Sequence, residues 1–104
     1  MRDQARTPPT LESLRIRREE IIALAEKHGA YNVRVFGSVA RGERGVESDV
    51  DFLVSFRSGA SLFDLSGFWQ DLQELLGCPV DVVEDHPGLR ERFRERILKD
   101  VVPI

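Results

Sequence analysis

The chain has 104 residues, 41% of them hydrophobic and 32% charged, with a formal net charge of −3. That length predicts one domain with its own core and no second lobe, and the slight acidity excludes any broad pull towards nucleic acid or anionic membrane. One cysteine, Cys78, rules out an internal disulfide and fits a reducing cytoplasm, and no apolar run is long enough to span a membrane.

Met1 to Thr10 is polar, carries two prolines and has no signal-peptide core, so it reads as a flexible lead-in to a domain over residues 11–104. Leu11 to Lys27 predicts a helix. Leu14, Ile21, Leu24 and Ala25 form its apolar stripe, Thr10 is the N-cap and Gly29 marks the stop. Tyr31 to Phe36 predicts a strand, Ser38 to about Arg44 a short helix and Glu43 to Ser48 a loop. Asp49 to Phe56 is a second strand. Ser61 caps a long helix to about Leu76, with Asp64 closing a capping box. Its stripe of Leu62, Leu65, Phe68, Trp69, Leu72, Leu75 and Leu76 is a core face or an interface. Pro79 to Glu84 is a third strand. Leu89 to Val101 is a last helix with Leu89, Phe93 and Ile97 on one side. Strands alternate with helices, so helices packed on a central sheet follow.

The chemistry concentrates in two short runs. In Ser48-Asp49-Val50-Asp51-Phe52, alternation along a strand sends Asp49 and Asp51 to one face, while Val50, Phe52, Val54 and Phe56 face the core. Two neighbouring carboxylates repel unless a cation lies between them. Oxygen ligands favour magnesium or manganese. The bland alternative is two solvated aspartates at a strand entry. In Val35-Phe36-Gly37-Ser38, a glycine lets backbone approach a ligand and amides opening a helix attract phosphate. Metal carboxylates beside a phosphate cradle read as nucleotide chemistry. Arg41, one turn on, either touches phosphate or faces solvent, and Arg44 is a weaker candidate. Asp81 stands between valines, where an unpaired buried carboxylate is costly. It therefore reaches water, a hydrogen bond or a metal, and Glu84 is a weaker alternative. Bland roles fit the rest: His28 at a helix end, His86 in an exposed turn, Cys78 as a small hydrophobe. The Arg–Glu alternation of the last helix reads as a solvated face.

Gly37-Ser38, ten intervening residues, then Asp49-Val50-Asp51 resembles the signature of the polymerase-β-like nucleotidyltransferases. The similarity is greatest to their minimal, single-domain branch, the MNT proteins. Arg41-Gly42-Glu43 and Ser48 are also typical of that branch, and the resemblance runs from about Leu14 to Lys99. It implies an α+β fold, a small mixed β-sheet flanked by helices. It implies that Asp49, Asp51 and Asp81 bind Mg2+ (or Mn2+), with Asp81 also able to take the proton from the attacking hydroxyl. It implies that Gly37, Ser38 and Arg41 hold the phosphates of ATP. Larger relatives carry an acceptor-binding domain for which this chain has no room, and in the minimal branch the partner is a HEPN-family toxin. The resemblance therefore implies a cytoplasmic antitoxin that transfers AMP to a tyrosine of its toxin, with a hetero-oligomer of the two and no direct nucleic acid or membrane partner. Two other readings stay open. One is a binding module that neutralises its partner by contact. The other is a transferase for a small hydroxylated acceptor.

Overall fold

The computed structural model describes residues 9–43 and 49–104. In order, the elements are α1 Leu11–Ile16, α2 Arg18–Lys27, β1 Ala30–Phe36, α3 Gly37–Ala40, β2 Val50–Phe56, α4 Leu62–Leu76, β3 Val80–Glu84, α5 Glu91–Asp100 and β4 Val102–Pro103. One mixed sheet has the order β3-β2-β1-β4. The pairs β1–β2 and β1–β4 are antiparallel, and β2–β3 is parallel. The parallel pair requires a long crossover, and α4 supplies it. This is the expected α+β fold with a small mixed sheet flanked by helices.

The alternation read in β2 holds. Val50, Phe52 and Val54 are fully buried and join Leu14, Ile21, Ala25, Phe68 and Leu72 in the main core, under α1, α2 and α4. Leu53 points the other way and is also buried. Its face of the sheet is the α5 side, where Ile97 is the buried residue of the helix. On that side Asp85 accepts from Arg34 at 3.3 Å and from Arg94 at 2.8 Å, tying the first half of α5 to the sheet.

Thr10 caps α1 as predicted, exchanging hydrogen bonds with Ser13. The continuous helix expected to Lys27 is instead two. Arg17 leaves helical geometry at φ −99°, ψ 19°, and its guanidinium donates to the Leu75 carbonyl at the end of α4. That bond satisfies a carbonyl which α4 itself leaves without a partner. Ser61 Oγ accepts from the Phe63 amide at 3.2 Å, and Asp64 Oδ2 accepts from the Ser61 amide at 2.7 Å, so the capping box is present.

The helix after β1 is shorter than expected, ending at Ala40, and α5 begins at Glu91 rather than Leu89. Strand β4 is an addition, two residues pairing at Arg34↔Pro103 and Val35↔Val102. A proline at a sheet edge gives up no ladder bond there, which hides such a strand from pattern reading. The expected lead-in falls mostly on residues 1–8, and Arg44 and Ser48 also lie outside the described residues.

Candidate active site

Three strand termini build the site. The last residue of β1, Phe36, pairs with Asp51, and Asp51 pairs with Asp81 across the parallel ladder. The two aspartates are thus direct neighbours on the face of the sheet opposite the main core. Asp49 immediately precedes β2 and is exposed, as is Asp81, while Asp51 is half-buried. The chain leaves β1 through Gly37, whose φ is +79°. A Cβ added there would lie 2.3 Å from Asp51 Oδ2, so only glycine allows the turn to pass this close to the carboxylate. Ser38 and Val39 follow in α3, and buried Val39 anchors the turn to the core.

The electrostatics follow from the packing. Partial burial, together with the charges of Asp81 and Asp49 and a hydrogen bond to Asp81, pushes the Asp51 carboxyl up to about 6, while Arg41 pulls it back. Asp49, Asp51 and Asp81 therefore form an excess of negative charge that a cation would relieve. Among the described residues no group of three or more histidine, cysteine, aspartate or glutamate side chains is placed to hold one metal ion. An open carboxylate set still fits magnesium, which is held through one or two carboxylates with substrate phosphates and water completing its shell.

Arg41 is neither simply solvated nor poised alone. Its Nε and one terminal nitrogen donate to the two oxygens of Glu43, each at 3.1 Å. Its other terminal nitrogen donates to Asp100 Oδ2 at 2.7 Å. The Arg41 guanidinium in turn holds the Glu43 carboxyl below its ordinary range. The contact with Asp100 was not visible in the sequence, because 59 positions separate it from Arg41. The available signal was an aspartate in the last turn of a helix, where the macrodipole disfavours negative charge.

The remaining residues take structural positions. His28 caps α2 with its backbone, but its Nε2 meets Asp71 Oδ2 of α4 at 2.7 Å, and a Cβ at Gly67 would strike its ring. His86 Nδ1 accepts from the Gly88 amide in an exposed turn. Trp69 is 39% exposed, and its indole N–H donates to the Val80 carbonyl at 2.8 Å, covering the edge of β3. Cys78 is half-buried against the core.

The described residues contain no helix long and apolar enough to cross a membrane. The nucleotidyltransferase domain family matches residues 18–103. A Methanocaldococcus jannaschii protein named as a candidate protein adenylyltransferase is 38% identical over 87 residues, 84% of this chain and 92% of its own length. The protein adenylyltransferase MntA of Thermococcus cleftensis is 38% identical over 79 residues, 76% of this chain and 79% of that one. A solved structure described as a candidate minimal nucleotidyltransferase superposes with a TM-score of 0.79 at 47% identity, covering 92% of this chain and 97% of its own. At 16% identity and a TM-score of 0.63, the fold is also shared with a Shewanella oneidensis complex described as a tri-AMPylated HEPN toxin with its MNT antitoxin, over 86% of this chain and 69% of that one. With the glycine turn set against paired strand aspartates and the family matched over most of its length, this chain belongs to the nucleotidyltransferases of the minimal, MNT type.

Proposed function

We propose that this chain transfers AMP from ATP to a hydroxyl of a partner protein, a tyrosine of a HEPN-family toxin, and so acts as the antitoxin in the cytoplasm. The observation that carries the reading is the juxtaposition of Gly37 with the laterally paired Asp51 and Asp81, with Asp49 alongside. That arrangement puts a phosphate-accepting turn directly against carboxylates. The choice of a protein acceptor is supported by the names of the relatives, and the toxin by the MNT resemblance and by the complex whose fold this chain shares.

In this mechanism the Gly37–Ser38 turn receives the terminal phosphates through its amides and the Ser38 hydroxyl. Arg41 adds a cationic contact from the next turn. Asp49, Asp51 and Asp81 would offer oxygen ligands to magnesium, which when bound would neutralise charge on the triphosphate and on the leaving pyrophosphate. Asp81 is exposed at the edge strand, where an acceptor side chain can reach it. The acceptor hydroxyl oxygen attacks the α-phosphorus, its proton passes to Asp81, and the bond to the bridging oxygen breaks to release pyrophosphate. Partial burial leaves Asp51 less screened than its exposed neighbours Asp49 and Asp81, which strengthens its attraction for a cation.

The test is intact-mass spectrometry of a HEPN-type partner incubated with this chain, ATP and magnesium, beside an Asp49→Asn, Asp51→Asn double variant. A gain of AMP units that the double variant does not produce is expected. A stable complex with either form and no gain in mass would replace transfer with neutralisation by contact.

A further inference from the structure

Asp100 has no role in this mechanism. It is the last residue of α5, where helix carbonyls already present negative charge. An aspartate there weakens its own helix, unless a cation compensates. Arg41 is that cation, at 2.7 Å, and the contact joins α3 to the end of a helix 59 residues away.

The geometry of the guanidinium gives the pairing a purpose. Arginine has five N–H donors in one rigid plane. Among the described residues Arg41 spends three of them, two on Glu43 and one on Asp100. Glu43 is only two residues along the chain and moves with the same turn. Asp100 is a fixed point outside it, with its side chain only 24% exposed. A long arginine held by Glu43 alone would be tethered only to its own turn. Held from both sides, it keeps one plane and can offer its remaining donors to an anion at the adjoining Gly37–Ser38 turn.

We propose that Asp100 is a positioning residue of the nucleotide site, acting through Arg41 to fix the guanidinium that contacts the ATP phosphates. The proposal rests on the nucleotidyl-transfer reading above. It assigns α5 a part in nucleotide affinity although that helix contributes no ligand to the phosphates.

The test measures ATP affinity by calorimetry with a non-hydrolysable analogue and magnesium, and KM and kcat for AMP transfer, in Asp100→Asn, Asp100→Glu, Arg41→Ala and the Asp100→Asn, Arg41→Ala pair. Since the contact is partly exposed, Asp100→Asn should weaken nucleotide binding about two- to fivefold, mostly in KM. Asp100→Glu should recover part of the loss. In the Arg41→Ala background Asp100→Asn should add nothing, because the residue it works through is gone. Equal losses with and without Arg41, or loss of melting temperature with unchanged KM, would make Asp100 merely structural and overturn the inference. If the wild-type chain binds no nucleotide, the functional reading itself fails. If it binds and Asp100→Asn binds equally well, only the positioning role fails.

Discussion

Replacing Gly37 with alanine tests how closely the turn must approach the carboxylates. Two costs can be worked from the structure. The first is backbone: φ is +79°, and holding an L-residue in left-handed space costs about 1–2 kcal/mol. For a domain of this size that lowers the melting temperature by about 4–16 °C. The second is steric: the new Cβ would stand 2.3 Å from Asp51 Oδ2, so the carboxylate must retreat by about 1 Å to reach ordinary contact. A misplacement of that size costs transfer chemistry on the order of a hundredfold. Gly59→Ala separates the two costs. Gly59 has a φ of +93° with nothing described within 4 Å of an added Cβ, so it bears the backbone cost alone. AMP transfer followed by intact mass, with thermal melts of both variants, decides the matter. Gly37→Ala should lose both activity and stability, and Gly59→Ala only stability. If Gly37→Ala retains transfer within a few fold of Gly59→Ala, the turn does not set the position of Asp51 and the site has been misread.

Three further outcomes follow from the same structure. The Asp51 carboxyl titrates near 6 in the folded chain against an ordinary 3.8, so the folded state is penalised as the group ionises. That penalty is absent below about pH 4, grows as pH rises towards 6 and is complete above it. In full it would be about 3 kcal/mol, and about 1–2 once solvent screening of a partly exposed group is allowed for. Without divalent cations Asp51→Asn should therefore melt above the wild type at pH 8, with the gap closing towards pH 4, and a pH-independent difference would contradict the repulsion. Ser61→Ala should cost about 1 kcal/mol by removing the α4 cap while leaving transfer intact, and an unchanged melt would show that the capping box is dispensable. Leu72→Ala empties a fully buried position between α4 and the sheet and should cost about 2–5 kcal/mol in chemical denaturation, whereas a loss below 1 kcal/mol would mean that the core closes over the gap.

Much of this protein is local chemistry and could be read in one dimension. Side-chain alternation over Asp49 to Phe56 already separated carboxylates from core, and both halves of the capping box lie within Ser61 to Asp64. The Gly37–Ser38 turn was legible through its spacing to Asp49-Val50-Asp51, since a glycine and a helix-capping serine are a weak signal by themselves. Local rules were silent where partners are remote in sequence. The first helix breaks at Arg17, whose side chain reaches the remote Leu75 carbonyl, and the two residues of β4 are strand only because β1 lies beside them. His28 looked like a helix cap, and its ring also meets Asp71 of another helix at hydrogen-bond distance.

The residue types, their order and their spacing were enough to place the carboxylates and the glycine turn on their elements and to show the family resemblance, because alternation and turn geometry act over a few bonds. Only the tertiary structure decided which groups meet. Parallel pairing of β2 with β3 brings Asp81 beside Asp51, and the return of α5 across the sheet brings Asp100 to Arg41. Those approaches depend on how the core packs, and charge then acts through space without regard to distance along the chain.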